Sequence, residues 1–209
     1  MKKNEFLAPV FKTKHLIIRE IEMEDAIDFF SYASRDDVGP YAGWRPHRSI
    51  SDTKTIIAMF RQKKYENQLP TLAIILKETN EMIGTLELHS YESGYKAELG
   101  YSLNPLYQGQ GYATEASFKA LEWGFDMLGL NRIECTMYVN NIASKKVCEH
   151  LKFTYEGMRK KGYKLYDGTL HDIYAYALTD EEYLEEVQRI VKCNEEVDTE
   201  EVIGKKEII

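Results

Sequence analysis

The run Gln108-Gly109-Gln110-Gly111-Tyr112-Ala113-Thr114-Glu115-Ala116 is the stretch of this chain best suited to chemistry. Two glycines one residue apart lead straight into a segment with helical periodicity. A helix starting there leaves its first backbone amides unpaired, and those amides and the helix dipole together favour an anion. A phosphate or pyrophosphate is the natural guest. The plainer alternative is a glycine turn that only starts a helix. Thr114 stands where a dinucleotide fingerprint needs its third glycine, and the preceding strand closes a meander instead of opening a βαβ unit. No Gly-Lys-Ser/Thr follows, so a nucleoside-triphosphate P-loop is excluded.

The elements that must hold this loop can be read from periodicity and turn chemistry. His15–Ile21 reads as a first strand, and Glu24-Asp25 opens an amphipathic helix through Ala26, Ile27, Phe29 and Phe30. Asp36–Ser49 is a loop, with two glycines and two prolines, and an aromatic one through Tyr41, Trp44 and His47. Ser51-Asp52 is expected to cap a second helix with Ile56, Ile57, Met59 and Phe60 on its apolar positions. Three strands follow, Thr71–Lys77, Met82–Tyr91 and Tyr95–Leu103, joined by Glu78–Asn80 and Ser93-Gly94 as an antiparallel meander.

The helix that leaves the glycine loop runs to about Leu128, with Ala116, Ala120, Leu121, Phe125 and Leu128 inward and Gly129 ending it. Arg132–Val139 is a strand, Ala143–Leu151 a helix, and Phe153–Tyr163 and Leu170–Leu178 are strands about the turn Tyr166-Asp167-Gly168. Thr179 and Glu182 have capping-box spacing and open a last helix with Tyr183, Leu184, Val187, Ile190 and Val191 on one face. From Asn194 the sequence is acidic and poorly periodic, the pattern of a flexible tail. The expectation is one mixed α/β domain over residues 1–180, followed by a C-terminal helix and acidic tail over 181–209.

Composition narrows the setting. With 209 residues, 44% hydrophobic and 29% charged, the chain can build one sizeable core. No apolar run approaches the roughly 18–20 residues of a spanning helix, and no apolar stretch follows Lys2-Lys3, so neither membrane insertion nor a secretory signal is expected. Cys135, Cys148 and Cys193 show no C-x-x-C spacing, which argues against disulfides and a cysteine zinc site and for reduced thiols in a cytoplasm. The scattered histidines argue against a metal site altogether.

The net charge of −7 sits entirely from Thr179 onward, where 11 acidic residues face 4 basic ones; residues 1–178 hold 23 of each sign. A neutral body lacks the field of a nucleic-acid binder. Arg159, Lys160, Lys161 and Lys164 read as a solvated strand surface, although such a patch can touch phosphate.

Gln108-x-x-Gly111-x-Ala113 resembles the Q/R-x-x-G-x-G/A pyrophosphate loop of the GNAT N-acetyltransferase superfamily. Four further phrases resemble its RimJ/RimL-type branch: Ala97–Tyr101, Gly111–Ala116, Leu130–Glu134, and Asn140–Ser144 with Phe153 nine residues on. The likeness covers about residues 13–180 in the right order and spacing.

The resemblance implies a GNAT-like α/β fold: a central, mostly antiparallel sheet splayed at two parallel strands, Tyr95–Leu103 and Arg132–Val139, with flanking helices. It also implies acetyl-CoA as co-substrate, with no metal. Backbone amides around Tyr101, Ser102 and Leu103 would take the pantetheine arm, and those of Gln108, Gly109, Gln110, Gly111, Tyr112, Ala113 and Thr114 the pyrophosphate. Asn141 and Ser144 match the positions beside the CoA thiol.

The family's reaction, direct attack of a neutral primary amine on the thioester in a ternary complex, needs a base, oxyanion donors and an acid for the thiolate. Ser144 is the expected acid, unless it only caps its helix. Glu98 is the leading base, unless it is paired across the sheet; Glu87 and His89 on the neighbouring strand are weaker candidates. After Glu156-Gly157, where some relatives carry a glutamate, this chain has Tyr163. His150 and His171 are read as ordinary surface or packed residues.

By the same resemblance, Tyr41, Trp44, His47 and Tyr163 would flank the acceptor's entrance, the acceptor being a protein N-terminus or a small-molecule amine. A non-catalytic CoA-binding sensor or scaffold is the alternative. No nucleic-acid or membrane partner is expected, and a homodimer is left open.

Overall fold

A computed structural model of the chain describes residues 8–189. One eight-stranded sheet organises it: β1 (Phe11–Lys12), β2 (Leu16–Glu20), β3 (Leu72–Leu76), β4 (Met82–Glu92), β5 (Lys96–Leu103), β6 (Arg132–Tyr138), β7 (Thr154–Lys164) and β8 (Leu170–Thr179). The spatial order is β1-β2-β3-β4-β5-β6-β8-β7. Every neighbouring pair is antiparallel except β5 and β6.

Helices cover both faces. On one face α4 (Tyr112–Glu122) and α5 (Ile142–His150) close a core over Leu16, Leu72, Leu99, Ile133 and Cys135. On the other, α1 (Ala26–Ala33) and α3 (Ile50–Gln62) bring Phe29, Tyr32 and Ile57 onto Ala73, Ile75 and Met82. Covering on both sides explains why β3, Leu-Ala-Ile-Ile-Leu, is apolar at every position and buried throughout, whereas β6 alternates. No helix among the described residues is long and apolar enough to cross a membrane.

Local chemistry sets most of the boundaries, and in three places the structure departs from the expected detail. α3 is capped by Ser49, whose Oγ accepts from the Asp52 amide at 3.1 Å, two residues ahead of the expected Ser51-Asp52. A 3₁₀ turn at Met23–Asp25 precedes α1, so its inward face is Ala26, Phe29, Tyr32 and Ala33, while Ile27 is exposed. The loop Asp36–Ser49 contains a helical turn, α2 (Gly39–Ala42), which Gly43 ends at φ +84°.

α4 continues through a π turn at Trp123–Met127. That wider turn buries Trp123 as well as Phe125, and it lays Gly124 against Ile133, where a Cβ would come within 2.5 Å of Cδ1. Gly129 follows at φ +63°, as a helix-ending glycine should. The Thr179–Glu182 capping box is formed in both directions (2.9 and 3.3 Å) and opens α6, residues 180–189. Ile190, Val191, Cys193 and the acidic tail from Asn194 lie outside the described residues.

The decisive feature is where pairing stops. β5 and β6 are in register at Lys96/Arg132, Ala97/Ile133 and Glu98/Glu134 only. Beyond Glu98 both strands run on, β5 to Leu103 and β6 to Tyr138, without a ladder between them. The sheet therefore opens in its middle, leaving two strand edges with backbone donors and acceptors available to a guest.

Candidate active site

At the open end of β5, Asn104 receives the Leu106 amide on Oδ1 and starts a short 3₁₀ turn, Pro105–Tyr107. The exposed Gln108–Gly111 loop follows. Gly109 (φ +75°) and Gly111 (φ +83°) are left-handed, and nothing lies within 4 Å of a Cβ at either, so backbone angle and not space demands glycine there. The first helical bond of α4 is Glu115 N–H to Gly111 O at 3.0 Å. No side chain among the described residues caps this helix, so the amides of Tyr112, Ala113 and Thr114 point out into the loop. Gln108 braces it by donating Nε2–H to Leu103 O at 3.3 Å.

On the same face, where α5 meets the gap, Tyr101 Oη donates to Ser144 Oγ at 3.1 Å. Burial pushes the Tyr101 phenol pKa up, outweighing the opposite effect of Ser144, so the group stays a neutral donor. Ser144 does not cap α5. That task falls to Asn141, whose Oδ1 accepts from Ser144 N–H at 3.1 Å and fixes where the hydroxyl stands. Cys135 and Cys148 are free and buried behind this pair. The Ser102 hydroxyl is taken internally by Thr85 at 2.7 Å, and Leu103 is a core residue. The segment Tyr101–Leu103 therefore offers the gap its backbone and the Tyr101 hydroxyl.

Glu98 belongs to the opposite face, because alternation along β5 sends positions 98 and 101 to different sides. It accepts from Thr136 Oγ1 at 2.5 Å and has no cationic partner among the described residues. Its neighbours are all occupied. Glu134 is held by Arg132 (2.9 Å) and Lys96 (3.6 Å), Glu87 by Lys63 (2.6 Å), and Glu156 by both terminal nitrogens of Arg132 (2.8 and 2.5 Å). His89 turns its Nδ1 to Ser90 Oγ at 3.1 Å. The two candidate proton-transfer groups, Glu98 and Ser144, thus approach the opening from its two sides.

Above Glu98 the opening is walled by rings. Tyr138, at the end of β6, contacts Tyr41 (centroids 5.8 Å), Tyr163 (5.5 Å) and His171 (4.8 Å). Tyr163 Oη lies where a Cβ on Gly43 would sit (2.4 Å), so the loop and the β7–β8 hairpin meet over Tyr138. The Tyr138 hydroxyl is buried and has no hydrogen-bond partner among the described residues; burial raises its pKa to about 12.

Trp44 and His47 face elsewhere. Both pack edge-on against Phe29 (5.9 and 5.2 Å) under the loop, so the expected Tyr41–Trp44–His47 wall is divided between mouth and core. His47 Nδ1 meets Thr53 Oγ1 at 2.9 Å, and that hydroxyl donates onward to Ser49 O at 3.3 Å. Nδ1 must then be the protonated nitrogen, and burial lowers the His47 pKa. Sequence reading missed Tyr138, Thr136 and the role of His171, since nothing in their spacing connects them to positions 41, 98 or 163. Among the described residues no group of three or more His, Cys, Asp or Glu is placed to hold a metal.

A parallel pair splayed beside a glycine-loop helix N-terminus is the arrangement that the sequence resemblance implies. Residues 15–154 match the family model described as the acetyltransferase (GNAT) domain. The chain is 36% identical over 173 residues to an uncharacterised N-acetyltransferase, p20, of Bacillus licheniformis, covering 82% of this chain and 96% of that protein. A GNAT-family acetyltransferase structure from Bacillus anthracis is 28% identical, with a TM-score of 0.73 over 83% of this chain and 99% of that one. Mycobacterium smegmatis RimJ, solved with CoA-disulfide, shares the fold at 22% identity and a TM-score of 0.72, covering 85% of this chain and 89% of that one. The chain belongs to the GNAT acetyltransferase family, and it is an acetyl-CoA-dependent N-acetyltransferase.

Proposed function

We propose that this enzyme transfers acetyl to a primary amine by direct attack, with the two substrates meeting in the gap between β5 and β6 from opposite faces of the sheet. The carrying observation is that Glu98, the carboxylate beside the gap without a cationic partner among the described residues, and the Tyr101–Ser144 hydroxyl pair flank the place where the β5–β6 ladder ends. The residues fit acetyl-CoA: left-handed Gly109 and Gly111 keep the loop amides open to a pyrophosphate, and the unladdered edge of β5 is free to bond an amide-bearing arm. Bound there, acetyl-CoA supplies an activated acyl group on a good leaving thiol.

The chain's own residues then have separable duties. Glu98, directly or through a water, removes a proton from the ammonium form of the acceptor. Thr136 O–H orients the carboxylate, and the nearby carboxylates are neutralised by Arg132, Lys96 and Lys63, which leaves Glu98 without competition for the incoming cation. On the other face Ser144 Oγ–H hydrogen-bonds the departing sulfur, and Tyr101 Oη–H, directed at Ser144 Oγ, strengthens that bond; both hydroxyls keep their protons, and the thiolate leaves stabilised by the bond and is protonated by solvent. A thiol has a pKa of about 8.5, so a positioned hydroxyl needs only to assist. The acceptor, a protein N-terminus or a small amine, enters past Tyr41, Tyr138 and Tyr163. The free, buried Cys135 and Cys148 suit a reducing cytoplasm.

The test is incubation with acetyl-CoA and a mixed amine panel, followed by free-thiol release and product mass. Glu98→Gln and Ser144→Ala should retain CoA binding and lose turnover. CoA binding by the wild type with no amine-dependent thiol release would replace the enzyme reading by a CoA sensor.

A further inference from the structure

The loop Asp36–Ser49 and the β7–β8 hairpin, which meet over Tyr138, carry six exposed cations, Arg45, Arg48, Arg159, Lys160, Lys161 and Lys164, against the carboxylates of Asp36, Asp37, Glu156, Asp167 and Asp172. Arg132 holds Glu156, and a bond from an amide or hydroxyl leaves a carboxylate its charge. Asp37 is held by Arg35 (2.8 Å), Asp172 accepts the Lys161 amide (2.7 Å), and Asp167 accepts the amide and hydroxyl of Thr169 (2.9 and 2.6 Å). Asp36 alone of these has no bond among the described residues.

Arg45 is the cation best placed. Its guanidinium lies 5.4 Å from the Tyr166 ring centroid, with Nη2 3.5 Å from Tyr166 O, which spans the space between loop and hairpin at the rim of the mouth. It has no carboxylate partner among the described residues. A guanidinium stacked on an aromatic ring is pre-oriented, and its planar fork suits a carboxylate or phosphate. From inside outward the acceptor's path is therefore one carboxylate without a cationic partner, then tyrosine rings with the unpartnered Tyr138 hydroxyl, then a mixed-charge rim on which Arg45 is stacked and has no acidic partner among the described residues.

We infer that the acceptor is a primary amine that also carries an anionic group, with Arg45 reading that group at the rim while Glu98 receives the amine. This rests on the acetyl-transfer reading above and narrows it: a polyamine or aminoglycoside would bring further ammonium groups against Arg45 and its neighbours, whereas a carboxylate or phosphate meets them favourably.

The enzyme saturated with CoA is titrated with three peptides that share an N-terminal serine and differ only in a following Glu-Glu, Gln-Gln or Lys-Lys pair. Phosphoethanolamine against ethanolamine forms a small-molecule arm that separates a phosphate source from a carboxylate source. The Glu-Glu peptide should bind about five- to tenfold more tightly than the Gln-Gln peptide, with Lys-Lys weakest, a gap that shrinks between about 0.05 and about 0.5 M salt because the rim is exposed. Arg45→Ala should collapse the three peptides toward one affinity, and Arg45→Lys should restore part of the order. Equal binding by all three, a preference for Lys-Lys, no binding in any arm, or an order that survives Arg45→Ala would overturn the inference. Thiol release from acetyl-CoA with the Gln-Gln peptide reports separately on the reaction. Release without charge preference removes only this inference, and no release with any amine removes the transferase reading.

Discussion

The two sides of the gap are built by different means. The α4–α5 side works through backbone and caps: Gly109 and Gly111 in the left-handed region, uncapped amides at the start of α4, and Asn141 setting Ser144 by one side-chain-to-amide bond. Every piece lies within a few residues of its partner, apart from the Tyr101–Ser144 bond. The α1–α3 side is made of side chains far apart in the chain, Tyr41, Glu98, Tyr138, Tyr163 and His171, with few bonds among them and one unpartnered buried hydroxyl. A co-substrate common to a family suits a rigid, locally specified cradle. An acceptor that differs between relatives suits a wall of replaceable side chains on loops.

The comparison breaks most visibly if one side's residues act on the other side's substrate. Glu98→Gln is expected to lower kcat about 10²- to 10³-fold, in the range of a lost general base, while leaving the CoA Kd within about twofold; calorimetry beside steady-state rates checks both. An equal loss in CoA affinity would mean that the two sides are not separable. Ser144→Ala is expected to cost about 10- to 10²-fold in kcat, and adding Tyr101→Phe should cost little more, since the two hydroxyls act in series. Full additivity in that double-mutant cycle would disconnect Tyr101 from the action of Ser144.

Gly111→Val probes the cradle alone. At φ +83° an L-residue loses about 1–2 kcal/mol, so CoA affinity should fall about tenfold with the acceptor KM unmoved and circular dichroism retained. Tyr138→Phe probes the mouth alone and should raise the acceptor KM several-fold, because only a hydroxyl is removed. The smallest effect expected is a pH-dependent one at the edge of the cradle, where Glu115 receives the His15 amide (2.9 Å) and meets Nδ1 (2.7 Å). Burial alone would raise the Glu115 pKa, but the bonds from Thr13 and His15 outweigh it and lower the value. The folded pKa then lies below the unfolded one, so this stabilisation is present above about pH 4.3 and drains away as pH falls through the folded pKa. The Tm difference between wild type and Glu115→Gln should be present at neutral pH and vanish in acid.

Residues that act on their own neighbourhood were legible in the chain. The glycine loop, the Thr179–Glu182 box, the Gly129 helix end and the alternation of β6 all depend on φ, on capping reach or on a two-residue period, and each stands where the pattern puts it. The misplacements came where several local answers were possible. Ser49 and Ser51 can each cap α3, and Ser49 serves because its Oγ reaches Asp52 N–H. Trp123 is inside because a π turn shifts the helix phase, and the same turn sets Gly124 against Ile133 at a distance that only glycine permits.

By itself, then, the sequence determined that the chain has a glycine-loop helix start between two halves of a mixed sheet, and which family builds such a loop. The tertiary structure decided which carboxylate remains free. Of Glu87, Glu98, Glu134 and Glu156, three are neutralised by Lys63, Arg132 and Lys96, and Glu98, the leading candidate from sequence, meets only a hydroxyl. It also decided that Glu98 and Ser144 work from opposite faces, and that Tyr41, Tyr138, Tyr163 and His171 form one wall. Those outcomes follow from strand register and from where the β5–β6 ladder ends, and register is fixed by burying whole faces at once, a cooperative choice that no short window of residues contains.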